Sequence, residues 1–507
     1  MIREGLMPGY IVRCVRSLAA VLLVFRCGTA EAAPPQQPTD AKGWSEAAVR
    51  DINAAYDVLY ANHPGVYDKA NPQFLAQLNR ARQQALELAA RVRDPAGYGW
   101  AVIRFGAAMG DGHVGVLPHI TNIDHPAPTW PGFVTAWRGS GLYVVGSEAS
   151  GIVRGAKVVS CDGVAVEQLV EQNVFRFRGE RSREPGQWWA AAGAVFAPSS
   201  NPFVTLPKSC VFDDHGAIHA QTLTWGPLDK DSGVRQWIRQ SEGDALPLGI
   251  IEKEAGLYWI ALPTFKPNEP QRSTYRDMVR QITERRADLL GARAIVLDLR
   301  GNSGGSSEWS RQIADALWGR RLVAATIAAY LKDQEVWWRA SPENSAYVRS
   351  AAEKAKAEGR RGTADVLAAT AKLMQAALDK HENYYVQFTT VAEPTDAPDV
   401  PALKTPVYVV VPGRCASACL DALDVFTRFA NTKLIGAPSS ADTNYLDVRD
   451  QTLPSGLAVV TLPNKVYVHR PRKSGEFYTP AITMTELDWS TANFLAAIKK
   501  DLAARLP

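Results

Sequence analysis

The run Val407-Tyr408-Val409-Val410-Val411-Pro412-Gly413-Arg414-Cys415-Ala416-Ser417-Ala418-Cys419 decides the fold. Its first five residues are apolar without interruption, which is how a strand buried on both faces of a helix-covered sheet reads. A helix follows from about 418 to 429, with Ala418, Ala422, Val425 and Phe429 on its apolar face. Upstream, Ala294 to Leu299 forms a similar strand broken only by Asp298, and Ser307 to Leu317 is helical. Leu257 to Leu262 reads as a strand, Thr274 to Leu290 as a helix, and Leu434-Ile435 starts another strand. This alternation predicts an α/β domain over 247–507 with a parallel or mixed sheet. Residues 331–400 read as a charged, Ala-rich helical insertion near the sheet's active edge, expected to be a surface excursion rather than a lid.

The N-terminal part has a different texture. Val49, Ile52, Tyr56 and Leu59 share one helical face, and Phe74, Leu78, Ala81, Ala85 and Leu88 form a second stripe. Asp94-Pro95 places an N-cap before a proline at the first helical position, opening a third helix through Phe105. A small helical unit is expected over 44–118. From 128 to 228 the runs become short and β-like, as in Leu142 to Val145 and Ala156 to Ser160 before the turn Asp162-Gly163.

A chain of 507 residues is too long for one ordinary domain, and 46% hydrophobic against 21% charged residues supports a sizeable core. The net charge is +4; four arginines against two glutamates within 1–32 supply +2 of it. So small a surplus over the rest argues against nucleic acid as the natural partner. Arg13 and Arg16 precede the apolar run Leu18 to Phe25, and small residues continue through Ala30-Glu31-Ala32. This is the pattern of a signal peptide over 1–32, cleaved near Ala32, so a periplasmic or secreted protein is expected. The run is too short to span a bilayer, and no later stretch is long enough. Beyond it lie Cys161, Cys210, Cys415 and Cys419. An oxidising compartment permits disulfides, with Cys161–Cys210 favoured and four buried thiols the competing reading.

Three segments could carry chemistry. Ser417 sits between a strand and a helix, where backbone N–H groups can hold negative charge and a hydroxyl can act in acyl transfer; the plain alternative is an N-cap. Asp298-Leu299-Arg300-Gly301-Asn302-Ser303-Gly304-Gly305 also follows a buried strand, and its adjacent glycines could turn N–H groups toward an oxyanion. In Gly110-Asp111-Gly112-His113-Val114-Gly115 the imidazole stands between glycines and could serve as a general base, or it is a loop histidine without a role. The eight histidines are scattered and form no metal-ligand pattern, so neither a metal nor an organic cofactor is expected.

Taken in order, these segments resemble the family of tail-specific (C-terminal processing) proteases, the tricorn protease core and the interphotoreceptor retinoid-binding proteins. Asp111-Gly112-His113 looks like the family's Asp-Gly-His motif, Val296 to Gly305 its Asp-x-Arg-x-Asn-x-Gly-Gly segment, and Ala416-Ser417-Ala418 its nucleophile motif. Asn62-His63-Pro64-Gly65 is similar to the N-terminal helical unit of bacterial members, and Gly151 to Val164 to a divergent PDZ domain.

The resemblance implies a mixed-sheet, ClpP/crotonase-like catalytic domain at 247–507, with a PDZ-like domain at 128–228 and a helical unit carrying the Asp-Gly-His motif. It implies a serine-type endopeptidase acting on a peptide or protein substrate. Ser417 would be the nucleophile, with Gly304 and Ala418 as the oxyanion hole. Processing proteases place a Lys about 25 residues after the Ser; here that register falls near Asp442 and Thr443, so the tricorn-like Ser–His pairing with His113 is chosen. Asp111 and Glu476 are the candidates for orienting the imidazole. The alternative on the same fold is a catalytically degenerate binding protein for peptides or apolar ligands.

Overall fold

The computed structural model describes residues 37–120, 129–197, 200–228, 233–244, 246–388 and 398–504. The expected signal peptide lies outside them. Three helices come first: α1 (Ala41–Asn62), α2 (Phe74–Ala89) and α3 (Pro95–Ala107). Asp40 accepts the N–H of Gly43, and Asp94, ahead of Pro95, accepts that of Gly97, so both side chains satisfy helix-end donors. The stripe on α2 is buried as its spacing predicts. On α1 the expectation shifts by one position: Val49 is exposed, and Ala48, Ile52, Ala55 and Leu59 face inward. A short strand, β1 (Gly115–Pro118), follows α3.

The β-rich segment is an antiparallel sheet of β2 (Phe133–Arg138), β3 (Gly141–Ser147), β4 (Lys157–Cys161), β5 (Ser209–Asp214) and β6 (Ala217–Thr222), in that order. Cys161 and Cys210 are register partners on β4 and β5 and are bridged, the pairing the sequence favours.

The six-stranded sheet that follows has the order β7 (Gly249–Glu254), β8 (Leu257–Ala261), β9 (Ala294–Asp298), β12 (Val407–Val411), β13 (Thr432–Gly436) and β16 (Ile482–Thr483). Every neighbouring pair is parallel except β7 with β8, so the sheet is mixed. Alternate side chains serve opposite faces. Ile260, Leu297 and Val409 pack under α4 (Glu269–Glu284), α5 (Ser307–Trp318) and α8 (Ala418–Phe426), while Trp259, Val296 and Tyr408 meet Phe494 and Ile498 of α9 (Thr491–Ala503). Cover on both faces is why β8 and β12 are apolar throughout and β9 is apolar up to Asp298. α4 starts earlier than the periodicity predicts because Asn268 and Gln271 form a capping box.

A second sheet, of order β1–β15–β10–β11, contains β15 (Ala458–Val468), β10 (Glu335–Arg339) and β11 (Tyr384–Phe388), and β14 (Tyr445–Thr452) also pairs with β15. Within it Gly115 to Pro118 run antiparallel to Thr461 to Ala458. The insertion is therefore more than helical. It enters and leaves as the strands β10 and β11, with α6 (Pro342–Ala357) and α7 (Arg361–Asp379) between them. Among the described residues no helix is long and apolar enough to cross a membrane.

Candidate active site

Asp298 and Val410 are register partners, so the loops leaving β9 and β12 emerge side by side at the carboxyl ends of the parallel strands. A buried ion pair fixes the first loop. Arg300 Nη2 lies 2.6 Å from Asp298 Oδ2, and Arg300 Nη1 donates to the carbonyl of Trp489. Asn302 donates to the carbonyl of Leu262 and accepts the N–H of Gly304 at 2.9 Å. A Cβ on Gly304 would stand 2.8 Å from the Ser417 Cβ and 2.7 Å from the Ala416 carbonyl, so only glycine lets the loop lie against the second one. Gly304 N–H is committed to Asn302, while among the described residues the N–H groups of Gly305 and Ala418 have no hydrogen-bond partner.

Ser417 has φ 55° and ψ −129°, a conformation that costs an L-residue about 1–3 kcal/mol and persists only where its surroundings enforce it. It stands at the N-cap position of α8, yet its side chain makes no capping bond, which removes the plain N-cap reading. Its N–H donates instead to Asp442 Oδ2 at 2.6 Å.

His113 precedes β1, and pairing of β1 with β15 brings it to the C-terminal half. His113 and Ser417 line one cavity of about 430 Å³, together with Gly305 and Ala418. Asp111 accepts the N–H of His113 at 2.8 Å, and His113 Nδ1 lies 3.6 Å from Asp111 Oδ1, an ion-pair distance slightly longer than a hydrogen bond. Thr443 Oγ1 donates to the other Asp111 oxygen. Burial opposes the imidazolium, but Asp111 and then Asp442 outweigh it and raise the His113 pKa, with Arg181 pulling the other way. Burial would also raise Asp111, but its contacts with His113 hold it below the usual carboxylate range. Asp442 goes up: burial wins over His113, Arg472, Arg181 and the Ser417 N–H.

The insertion reaches this site. Trp338, Tyr347, Val348, Ala351 and Leu367 line the Ser417 cavity, so the insertion lies at the sheet's active edge as expected from the sequence. Leu446 and Val448 of β14 complete the apolar wall.

Residues 257–477 match the model of peptidase family S41. This stretch is an S41 peptidase domain. No curated protein sequence matches the chain. Among solved structures, mature CPAF complexed with lactacystin is similar with a TM-score of 0.55 at 12% identity, over 91% of this chain and 98% of that one. A CPAF serine-to-alanine mutant gives 0.57 at 12% identity, over 91% and 98%. At such identity the likeness speaks for the fold alone. The tricorn protease gives 0.36 at 10% identity, over 91% of this chain and 36% of that one, and nothing below rests on it.

Within the S41 domain the structure separates the remaining candidates. Asp442 occupies the position 25 residues after Ser417, where the processing proteases place their Lys. The next lysine after that register, Lys465, is held protonated: Asp447 lies 2.5 Å from its Nζ and the Trp338 ring 4.7 Å away, and Asp447 overrides burial to raise its pKa. Glu476 lies in an exposed turn, where its carboxylate accepts the N–H of Lys473; the charges facing His113 are Asp111, Asp442 and Arg181. Asp421 is drawn into a buried cluster with Arg470 and Arg472 and accepts the Ser307 hydroxyl at 2.6 Å, tying α8 to α5. Asp442, Thr443 and Arg181 are the site residues that sequence reading missed. The 25-residue register was the signal for Asp442. For Arg181 the only trace is Gly112, whose Cβ would stand 2.7 Å from the guanidinium. Among the described residues no group of three or more His, Cys, Asp or Glu could hold a metal ion.

Proposed function

We propose that the protein is a serine endopeptidase using a Ser417–His113 pair. The observation that carries the reading is the left-handed backbone of Ser417, held against the Gly304-Gly305 loop in a cavity that His113 also lines. In the proposed reaction Ser417 Oγ attacks the scissile carbonyl and His113 Nε2 takes its proton. Asp111, facing Nδ1, keeps the proton on that nitrogen and favours the imidazolium that forms. The N–H groups of Ala418 and Gly305 hold the tetrahedral oxyanion, with Gly304 packed beneath the nucleophile. Protonation of the leaving amine by His113 gives the acyl-enzyme, and a water activated by the same imidazole releases it. No step calls for a metal or organic cofactor.

The substrate is a peptide or unfolded protein segment, since the apolar wall from the insertion and β14 offers contacts to side chains beside the scissile bond. The signal pattern at the N-terminus supports a periplasmic or secreted enzyme. The test is fluorophosphonate labelling of the purified mature chain. Ser417 should be labelled and Ser417→Ala should not. Equal labelling of the two, or unchanged peptide hydrolysis in Ser417→Ala, would overturn the assignment. Lactacystin, seen on mature CPAF, is a second probe for the same cavity.

A further inference from the structure

Cys415 and Cys419 are bridged across Ser417 and Ala418, with Cα atoms 5.2 Å apart and both side chains fully buried. The chain is anchored just before this ring. Gly413 is pressed so tightly that an added Cβ would meet the Gly186 carbonyl at 2.5 Å, and Ser440 donates to the Gly413 carbonyl at 3.0 Å. It is anchored after it by α8, whose Ala422 and Leu423 are fully buried. The residues between these anchors carry both the nucleophile and an oxyanion donor, with Ser417 in a conformation it would leave if unconstrained.

The two bridges of the molecule do different work. Cys161–Cys210 joins residues 49 apart and removes much freedom from the unfolded chain, so its effect belongs to global stability. Cys415–Cys419 joins residues four apart, where the loop-closure entropy is about half as large, so less of its effect appears as global stability. The rest of its effect falls on the geometry of the residues it encloses.

We infer that Cys415 and Cys419 are positioning residues, and that Ser417 is competent only while their disulfide is closed. This rests on reading Ser417 as the nucleophile. A reducing dithiol would open the ring by exchange: its thiolate attacks one Sγ, the Cys–Cys bond breaks, and the reagent closes to its own disulfide. The protein gains two electrons and two protons as thiols. Because both sulfurs are buried, attack waits on local opening, and the site would lose activity slowly while the fold persists.

The experiment follows fluorophosphonate labelling rate, kcat, KM and thermal melting in the wild type, C415A/C419A and C161A/C210A, with and without dithiothreitol. C415A/C419A should label about a hundredfold more slowly, as for a reacting group displaced by about 1 Å, with kcat reduced, KM kept and melting lowered less than in C161A/C210A. C161A/C210A should melt lower and label normally; dithiothreitol should then slow its labelling, and oxidised glutathione should restore it. Labelling of C415A/C419A at the wild-type rate overturns the inference. So does its failure to fold, because the bridge would then be holding the domain rather than the loop. If the oxidised wild type does not label at all, the nucleophile reading itself has failed, which is a different result.

Discussion

Ser417 is held by the ends of adjacent parallel strands, whereas His113 is held by a short strand whose partner comes from the far end of the chain. On the nucleophile side, β9 and β12 lie in register, the Asp298–Arg300 pair fixes the loop after β9, and the Gly304 contact lays it against the neighbouring loop after β12. On the base side, Gly115 to Pro118 find Thr461 to Ala458, and Asp111 is tied to Thr443 across the same junction. The first arrangement is part of a core covered on both faces. The second rests on long-range contacts, with Val116 of β1 and Ala458 and Val460 of β15 sharing the buried core of the N-terminal helices. Perturbing the two sides should therefore give different signatures.

The largest effect is expected where the proposed base is removed. His113→Ala should lower kcat by about 10^4-fold, read against a melting temperature that stays near wild type. Asp298→Asn tests the other side. It removes one of the two carboxylates that lie 2.6 Å from Arg300, the other being Asp244, and should destabilise the fold by about 3 kcal/mol, measured by the denaturant midpoint. If that midpoint stays put, the ion pair is not what secures the loop.

A third test uses pH. His63 is fully buried between Phe74 and Tyr445, with ring centroids at 4.4 and 4.9 Å, and its Nδ1 accepts the N–H of Gly65. Burial, against a smaller pull from Asp111, pushes it down to about 4. The folded state keeps it neutral while the unfolded chain protonates it below 6.5. The stability it contributes is thus present above that value and lost as pH falls toward about 4, by about 3 kcal/mol in all. Comparing urea midpoints at the two ends of this window should show the loss, and His63→Gln should shrink it. An unchanged difference would mean the acid sensitivity arises elsewhere.

The smallest effect separates positioning from catalysis. His113 must be neutral to accept a proton, and Asp111 and Asp442 raise its pKa. The acid limb of kcat/KM should therefore lie above the ordinary imidazole range. Asp442→Asn should move it to lower pH, since one of the stabilising charges is gone. A limb that does not move would leave Asp442 with only its bond to the Ser417 N–H.

The same contrast explains what could be read from the sequence. β8, β9 and β12 were legible because burial on both faces forces unbroken apolar runs. The glycine loop and Ser417 were legible because each follows such a strand. The second sheet was not. β11 is half-exposed along its length, and β10 sits beside helices that dominate the composition of the insertion. Nothing local announces that β1 pairs with a strand more than 340 residues later. Asp442 was visible only as an unexpected residue at the register of a missing Lys. What it does comes from a bond to a backbone N–H that no side-chain pattern encodes.

The pairing of β1 with β15 also sets a schedule. A chain emerging from its N-terminus presents His113 early and Ser417 late, yet the strand that seats the histidine is finished only at Val468. Until then the imidazole has no fixed place relative to the serine. On the proposed Ser417–His113 pairing, a chain that ends before this strand carries both groups without the contact that seats the histidine.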